Sequence, residues 1–169
     1  DIGDFQIEGI SVGDSLLDYL SIAQIEQQEQ NGYLYKDKKF IIINNPSNLN
    51  VYEQSGIVYK YKPRDKKYII HGVDGILKFS NNIKGCKKEL KEFESELDIT
   101  FKDARKKRTK RNLKYATGKI KTYGAIYYIK SGGYVDLYCE DFHKKGWKNQ
   151  LVVLLASQEY REYLKTREK

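Results

Sequence analysis

The chain has 169 residues. That is enough for one domain burying roughly 70% of the surface its unfolded form exposes, so folding requires no metal. A hydrophobic content of 40% with 13% aromatics excludes a disordered chain, and the longest apolar run, "LVVLLA" at 151–156, has strand length. It falls far short of the roughly 20 residues of a membrane-spanning helix.

Lys and Arg number 31 against 23 Asp and Glu, a formal charge of +8. Lys, Ile, Asn and Tyr all have AT-rich codons, so genome composition accounts for part of that excess and weakens any inference from charge to nucleic acid. There are 15 Tyr, two Pro and no Met. The missing initiator predicts a processed or trimmed chain, as removal of a secretory signal would leave.

Taken in order, "DFQIEG" alternates and predicts a short strand. Gly13 permits a turn, Asp14 can cap, and Leu16, Leu17 and Leu20 make an apolar stripe. Ser21 and Gln24 have capping-box spacing, opening a second helical turn that ends near Asn31-Gly32. Four strand-like runs follow, "KFIIIN", "SGIVYKYK", "KYIIHG" and "GILKFS", with turn residues between them such as "KPRDKK" at 62–67. Asn81-Asn82 then caps the clearest helix, where Ile83, Cys86, Leu90, Phe93, Leu97 and Phe101 recur at steps of three and four. The basic stretch "FKDARKKRTKRNLKYATGKIK" shows no clear periodicity and reads as a loop. "TYGAIYYIK", "SGG" and "YVDLYCED" make a hairpin, "QLVVLLA" a further strand and "SQEYREYLKTREK" a capped terminal helix.

Short turns between consecutive strands predict antiparallel pairing and an α+β fold, with helices packed on one face of the sheet. The chain reads as a single domain, 1–169. Its order of helix then strands, repeated, divides into helix-plus-sheet halves at 1–81 and 82–169.

Cys139 alternates with Val135 and Leu137, and Cys86 lies on the apolar stripe of the long helix. If that helix packs on that sheet, both thiols enter one interface. A disulfide there closes a loop of roughly 50 residues, worth about 4 kcal/mol on the chain-entropy estimate. It also implies an oxidising compartment. The alternative is a pair of unlinked core cysteines.

"GISVGDSLLDYL" contains Gly13-Asp14-Ser15-Leu16, the first block of the Gly-Asp-Ser-Leu hydrolases, whose serine is the nucleophile. Glu140 and His143 echo that family's C-terminal Asp-x-x-His, but its Gly-x-Asn-Asp block occurs nowhere and the hairpin-rich order lacks its strand–helix alternation. Asp14 and Ser15 therefore read as a helix start, and no catalytic residue is assigned. Cys139, Asp141 and His143 share one strand face and would suit zinc, yet a disulfide removes Cys139 and no fourth ligand is evident, so no metal or cofactor is assigned. His71 in "YIIHG" reads as a partly buried histidine.

From Lys102 to Lys121 the chain holds ten Lys or Arg and one acid, Asp103. Lys106, Lys107, Arg108, Lys110 and Arg111, with Tyr115 and Tyr123 nearby, are the candidate residues for binding an anionic lipid surface or nucleic acid. The hairpin's other face carries Tyr134, Asp136, Tyr138 and Glu140, with Tyr127 and Tyr128 on the partner strand. It suits a sugar or peptide, although cross-strand tyrosine packing explains the same pattern and is preferred.

The opening "DFQIEGISVGDSLLDYLS" resembles a family of small, uncharacterised secreted proteins of Pelagibacter-type marine alphaproteobacteria. "KKYIIHGVDGILKF", the helix carrying Cys86, "DLYCEDF" and "GWKNQLVV" resemble it too. The resemblance implies a periplasmic address and no known activity; the strongly basic 102–111 segment departs from the family. More remotely, "GISVGDSLLDYL" resembles the helix that opens modules of β-lactamase-inhibitor-like and outer-membrane-assembly lipoprotein domains. The combined expectation is a non-enzymatic periplasmic binding or scaffolding domain, its partner another envelope protein or an anionic surface. An anion-binding module through 102–121 is the alternative, and a hydrolase through Ser15 stands third.

Overall fold

A computed structural model describes residues 1–115, 118–142 and 146–167. Strands β1 (Gln6–Ile7) and β2 (Ile10–Ser11) pair with each other, and a 3-10 turn at Leu16–Asp18 leads into α1 (Ile22–Glu29). Four strands follow: β3 (Tyr33–Leu34), β4 (Phe40–Asn44), β5 (Gln54–Lys60) and β6 (Ile70–Lys78). The long helix α2 (Ile83–Thr100) precedes β7 (Arg105–Tyr115), β8 (Gly118–Tyr128), β9 (Tyr134–Phe142) and β10 (Gln150–Ala156), and α3 (Gln158–Arg167) ends the described chain. No described helix is long and apolar enough to cross a membrane.

Strands β3 to β10 form one eight-stranded antiparallel sheet in the order β3-β4-β5-β6-β10-β9-β8-β7. The expected α+β fold, with helices against an antiparallel sheet, is what forms. Each helix-led half supplies a four-strand meander, and the two meanders join where β6 pairs with β10. Local chemistry sets the helix starts. Asn82 accepts from the Gly85 N–H at 2.8 Å, Ser21 and Gln24 complete the capping box of α1, and the Ser157 hydroxyl accepts from the Tyr160 N–H.

Two expectations fail for identifiable reasons. "KYIIHG" and "GILKFS" are one strand, because Gly72 and Gly75 do not interrupt β6. They make room for aromatic rings instead: a Cβ on Gly75 would meet the Tyr52 ring at 2.6 Å, and one on Gly72 the Tyr160 ring at 3.2 Å. Nor is the basic segment a loop. Residues 105–115 pair with β8 in unbroken register from Arg105 opposite Tyr128 to Tyr115 opposite Gly118. Cations on both sides of the strand hide its period of two.

The larger core lies on the face covered by α1, α2 and the N-terminal strands. There Cys86, Leu90 and Leu97 pack over Val135, Leu137, Leu151, Val153 and Leu155. Within it Cys86 and Cys139 are joined by a disulfide, their Cα atoms 6.1 Å apart. On the opposite face only one end is covered by a helix: Tyr160 and Tyr163 of α3 pack on Phe40, Val58, Tyr134 and Ala156. A hydrogen bond of 2.7 Å joins the Tyr35 and Tyr160 hydroxyls there.

Candidate functional site

Period-two alternation sends Asp74 and Ile76 of β6, Val152 and Leu154 of β10, and Asp136, Tyr138 and Glu140 of β9 to the face opposite α2. Ile42 of β4 and Ile126 of β8 lie on the same side, and both pack partly exposed at the edge of the α3 cluster. Leu154 stands directly opposite Asp74 on one flank and Asp136 on the other. The two carboxylates therefore occupy one row, separated by two strand spacings, about 10 Å.

Their surroundings differ sharply. Asp136 is buried and held bidentately by Arg111, Nη1 to Oδ2 at 2.9 Å and Nη2 to Oδ1 at 3.2 Å. Asp74 has Gly56 and Leu154 as cross-strand neighbours, and Gly72 and Ile76 two residues away along its own strand. None of these four has a side-chain donor. Among the described residues the Gly56 N–H donates to Asp74 Oδ1 at 2.8 Å. Burial raises the Asp74 pKa above the usual carboxylate range, and the Gly56 hydrogen bond opposes this only in part. Beside it runs a groove of about 510 Å³ lined by Tyr33, Ile42, Asn44, Leu49 and Gln54. Glu140 is also pushed up by burial, against its hydrogen bond from Gln150 and the Arg111 charge.

The tyrosines expected together on this face separate. Tyr128 lies on it, but Tyr127 points the other way, under α2, with its hydroxyl donating to Asp98 at 2.7 Å. Tyr134 is buried beneath α3.

The five basic candidates do not converge on one patch. Lys106, Arg108 and Lys110 project to the α2 side of β7, while Lys107 and Arg111 project to the other. Lys106 donates to Asp98 at 2.7 Å and lies 3.4 Å from Glu94, and Arg108 meets Glu94 at 2.5 Å. The Lys106 ammonium and the Tyr127 hydroxyl hold Asp98 below the usual carboxylate range. Arg111 is taken by Asp136. Lys107 and Lys110 make no ion pair among the described residues, though Lys110 shares the Tyr123 ring with Lys87. Glu94 was missed in the sequence. Its clue is an acid four residues after Leu90 and three before Leu97, inside the apolar stripe.

At the Gly-Asp-Ser-Leu segment, Ser15 rather than Asp14 is the cap. Its hydroxyl donates to the Lys67 carbonyl at 2.7 Å and accepts from the Leu17 N–H at 3.2 Å. The Asp14 carboxylate accepts instead from the Ser11 N–H and the Tyr19 hydroxyl. A second serine, Ser157, lies 3.0 Å from Nδ1 of His71, and Glu159 Oε2 is 4.0 Å from the same nitrogen. A proton relay uses the two imidazole nitrogens separately, one for the nucleophile and one for the carboxylate. Here both partners share Nδ1, and the Ser157 oxygen caps α3. Burial lowers the His71 pKa, against the Glu159 charge, and its ring abuts Phe40.

His143 lies outside the described residues, so the Glu140–His143 echo and the Cys139–Asp141–His143 set are not described together. Cys139 is engaged in the disulfide, and no group of three or more metal-ligating side chains occurs among the described residues. Comparison with protein-family models, curated proteins and solved structures gives no match.

Proposed function

We propose that the chain is a non-enzymatic binding domain of the periplasm, docking a segment of another protein on the sheet face opposite α2. The observation that carries this is the unequal covering of the two faces. On one side α1, α2 and the N-terminal strands cover the larger core, whereas α3 covers only one end of the other, leaving Ile42, Ile76, Leu154, Ile126 and Tyr138 partly exposed on the face that carries Asp74. An antiparallel sheet can keep one face in water, but such a face is normally polar. Several partly exposed aliphatic and aromatic side chains on one face, interspersed with the carboxylates of Asp74 and Asp136, support an interaction surface instead. The disulfide supports an oxidising compartment, and the resemblance to secreted proteins supports the periplasm.

Photo-crosslinking residues placed at Leu154 and Ile42 test the proposal against a control at Glu92, on the exposed side of α2. Adducts to one protein, formed from the sheet positions and not from Glu92, are expected in the envelope of the producing cell. Equal adducts from both faces, or a reproducible turnover abolished by one substitution, would refute it. A second reading is contact of the edge strand β7 with an anionic surface through the exposed Lys107 and Lys110, which project to opposite sides of that strand. It requires salt-dependent vesicle or oligonucleotide binding that is lost when both become serine.

A further inference from the structure

Asp74 and Asp136 flank the same leucine on the same face, and only one of them has a cation. Across β9 and β8 the edge strand β7 supplies Arg111 to Asp136 with two hydrogen bonds. No described cation reaches Asp74. Lys60 and Lys39 are drawn to Glu159 at 2.9 Å and 3.9 Å, and Lys78, two residues beyond Ile76 on β6, makes no ion pair with Asp74. One backbone N–H satisfies one of the Asp74 oxygens; Gln54 lies diagonally across β5 and Asn44 beyond Gly56, and neither hydrogen-bonds the carboxylate. A carboxylate in that setting is poorly solvated and has acceptor capacity unused. The place over Gly72 is filled by the Tyr160 ring and that over Gly56 by Ile42 and the Asp74 carboxylate itself, so the open approach to Asp74 is from the groove of about 510 Å³ that it lines.

We infer that Asp74 is the anchoring acceptor of the docking face, and that the segment bound there is one that presents an arginine or lysine side chain between apolar neighbours. The inference rests on the open face being the docking surface, and it names what that face recognises. The Arg111–Asp136 pair shows the geometry this sheet offers a guanidinium. At Asp74 the partner supplies the cation, its aliphatic stem lying against Ile76 and Leu154 while the head group engages the free oxygen. Removing a partner from a desolvated charge pair is among the most damaging changes an interface can suffer, so Asp74 dominates selectivity among cationic and neutral ligands.

The test uses two octapeptides identical except at the centre, one with arginine and one with neutral, nearly isosteric citrulline, flanked by valine and threonine. Binding is followed by NMR through the Gly56 amide, the Leu154 methyls and the Asp74 carboxyl carbon. The arginine peptide is expected to shift all three and to bind at least tenfold more tightly than its citrulline twin. In Asp74→Asn, which keeps the shape and an acceptor for Gly56, that preference is expected to vanish. Equal shifts of Leu154 by both peptides overturn the role of Asp74 while leaving the face as a docking surface. Shifts elsewhere, or none by either peptide at millimolar concentration, overturn the role of Asp74 as well. Whether the face itself then stands is decided by the crosslinks from Leu154 and Ile42.

Discussion

Removing the disulfide is the perturbation whose size follows most directly from the structure. Cys86 and Cys139 are 53 residues apart in sequence and both are fully buried, between α2 and β9. Closing a loop of that length restricts the unfolded chain by about 4 kcal/mol. For a domain of this size each kcal/mol moves the midpoint by roughly 2–4 °C, so the bond is worth about 8–16 °C of Tm. The variant should be Cys86→Ala/Cys139→Ala, since serine would add two buried hydroxyls to the cost being measured. Urea unfolding of the oxidised wild type, the reduced wild type and the double variant gives three stabilities. The two lacking the bond should agree with each other and fall about 4 kcal/mol below the first. Alkylation of the denatured, unreduced wild type should add no mass. A loss below about 1 kcal/mol would mean that α2 is held on the sheet by packing alone and that the chain-entropy account fails here.

Arg111→Met leaves the buried Asp136 carboxylate without its guanidinium, and should cost about 3 kcal/mol in denaturant unfolding; adding Asp136→Leu should recover most of it. Neutralising the exposed Lys107 should change stability by less than about 0.5 kcal/mol. For Asp74 the folded pKa is raised, so the native state holds a proton that the unfolded chain releases at about pH 3.9. Its contribution to stability is therefore present below that pH and lost as pH rises through the folded value. Asp74→Asn should remove this decline and raise Tm at pH 7 relative to wild type. His71 behaves in the opposite sense: with its pKa lowered by burial, stability falls as pH drops below about 6.5, and His71→Gln should lessen that fall. A parallel Tm-versus-pH series of the three proteins reads both effects.

Hydrophobic period and cap chemistry made most of the fold legible. The stripe from Ile83 to Phe101 and the Val135–Leu137–Cys139 alternation were enough to bring two cysteines together, because burial fixes which way each side chain points. The strand β7 was hidden for the converse reason. Its lysines and arginines occupy both faces, and three of them earn their places by pairing with Glu94, Asp98 and Asp136 on other elements. Glycine also misled: Gly72 and Gly75 look like breaks along the chain but are contact points for rings distant in sequence. Asp74 carried no signal at all. What distinguishes it is the identity of its neighbours across β5 and β10, which only the strand register supplies.

The central claim is that a protein segment occupies the sheet face opposite α2, and a single bulky charge at its middle tests it most directly. Leu154→Glu sets a carboxylate directly between Asp74 and Asp136 and should lower the unfolding midpoint, so crosslinking is read at a temperature where the variant is still folded. The crosslinked product formed from Ile42 in the cell should disappear in that background, while Glu92→Lys on α2 should leave it intact. A product that survives Leu154→Glu at full yield would contradict the account.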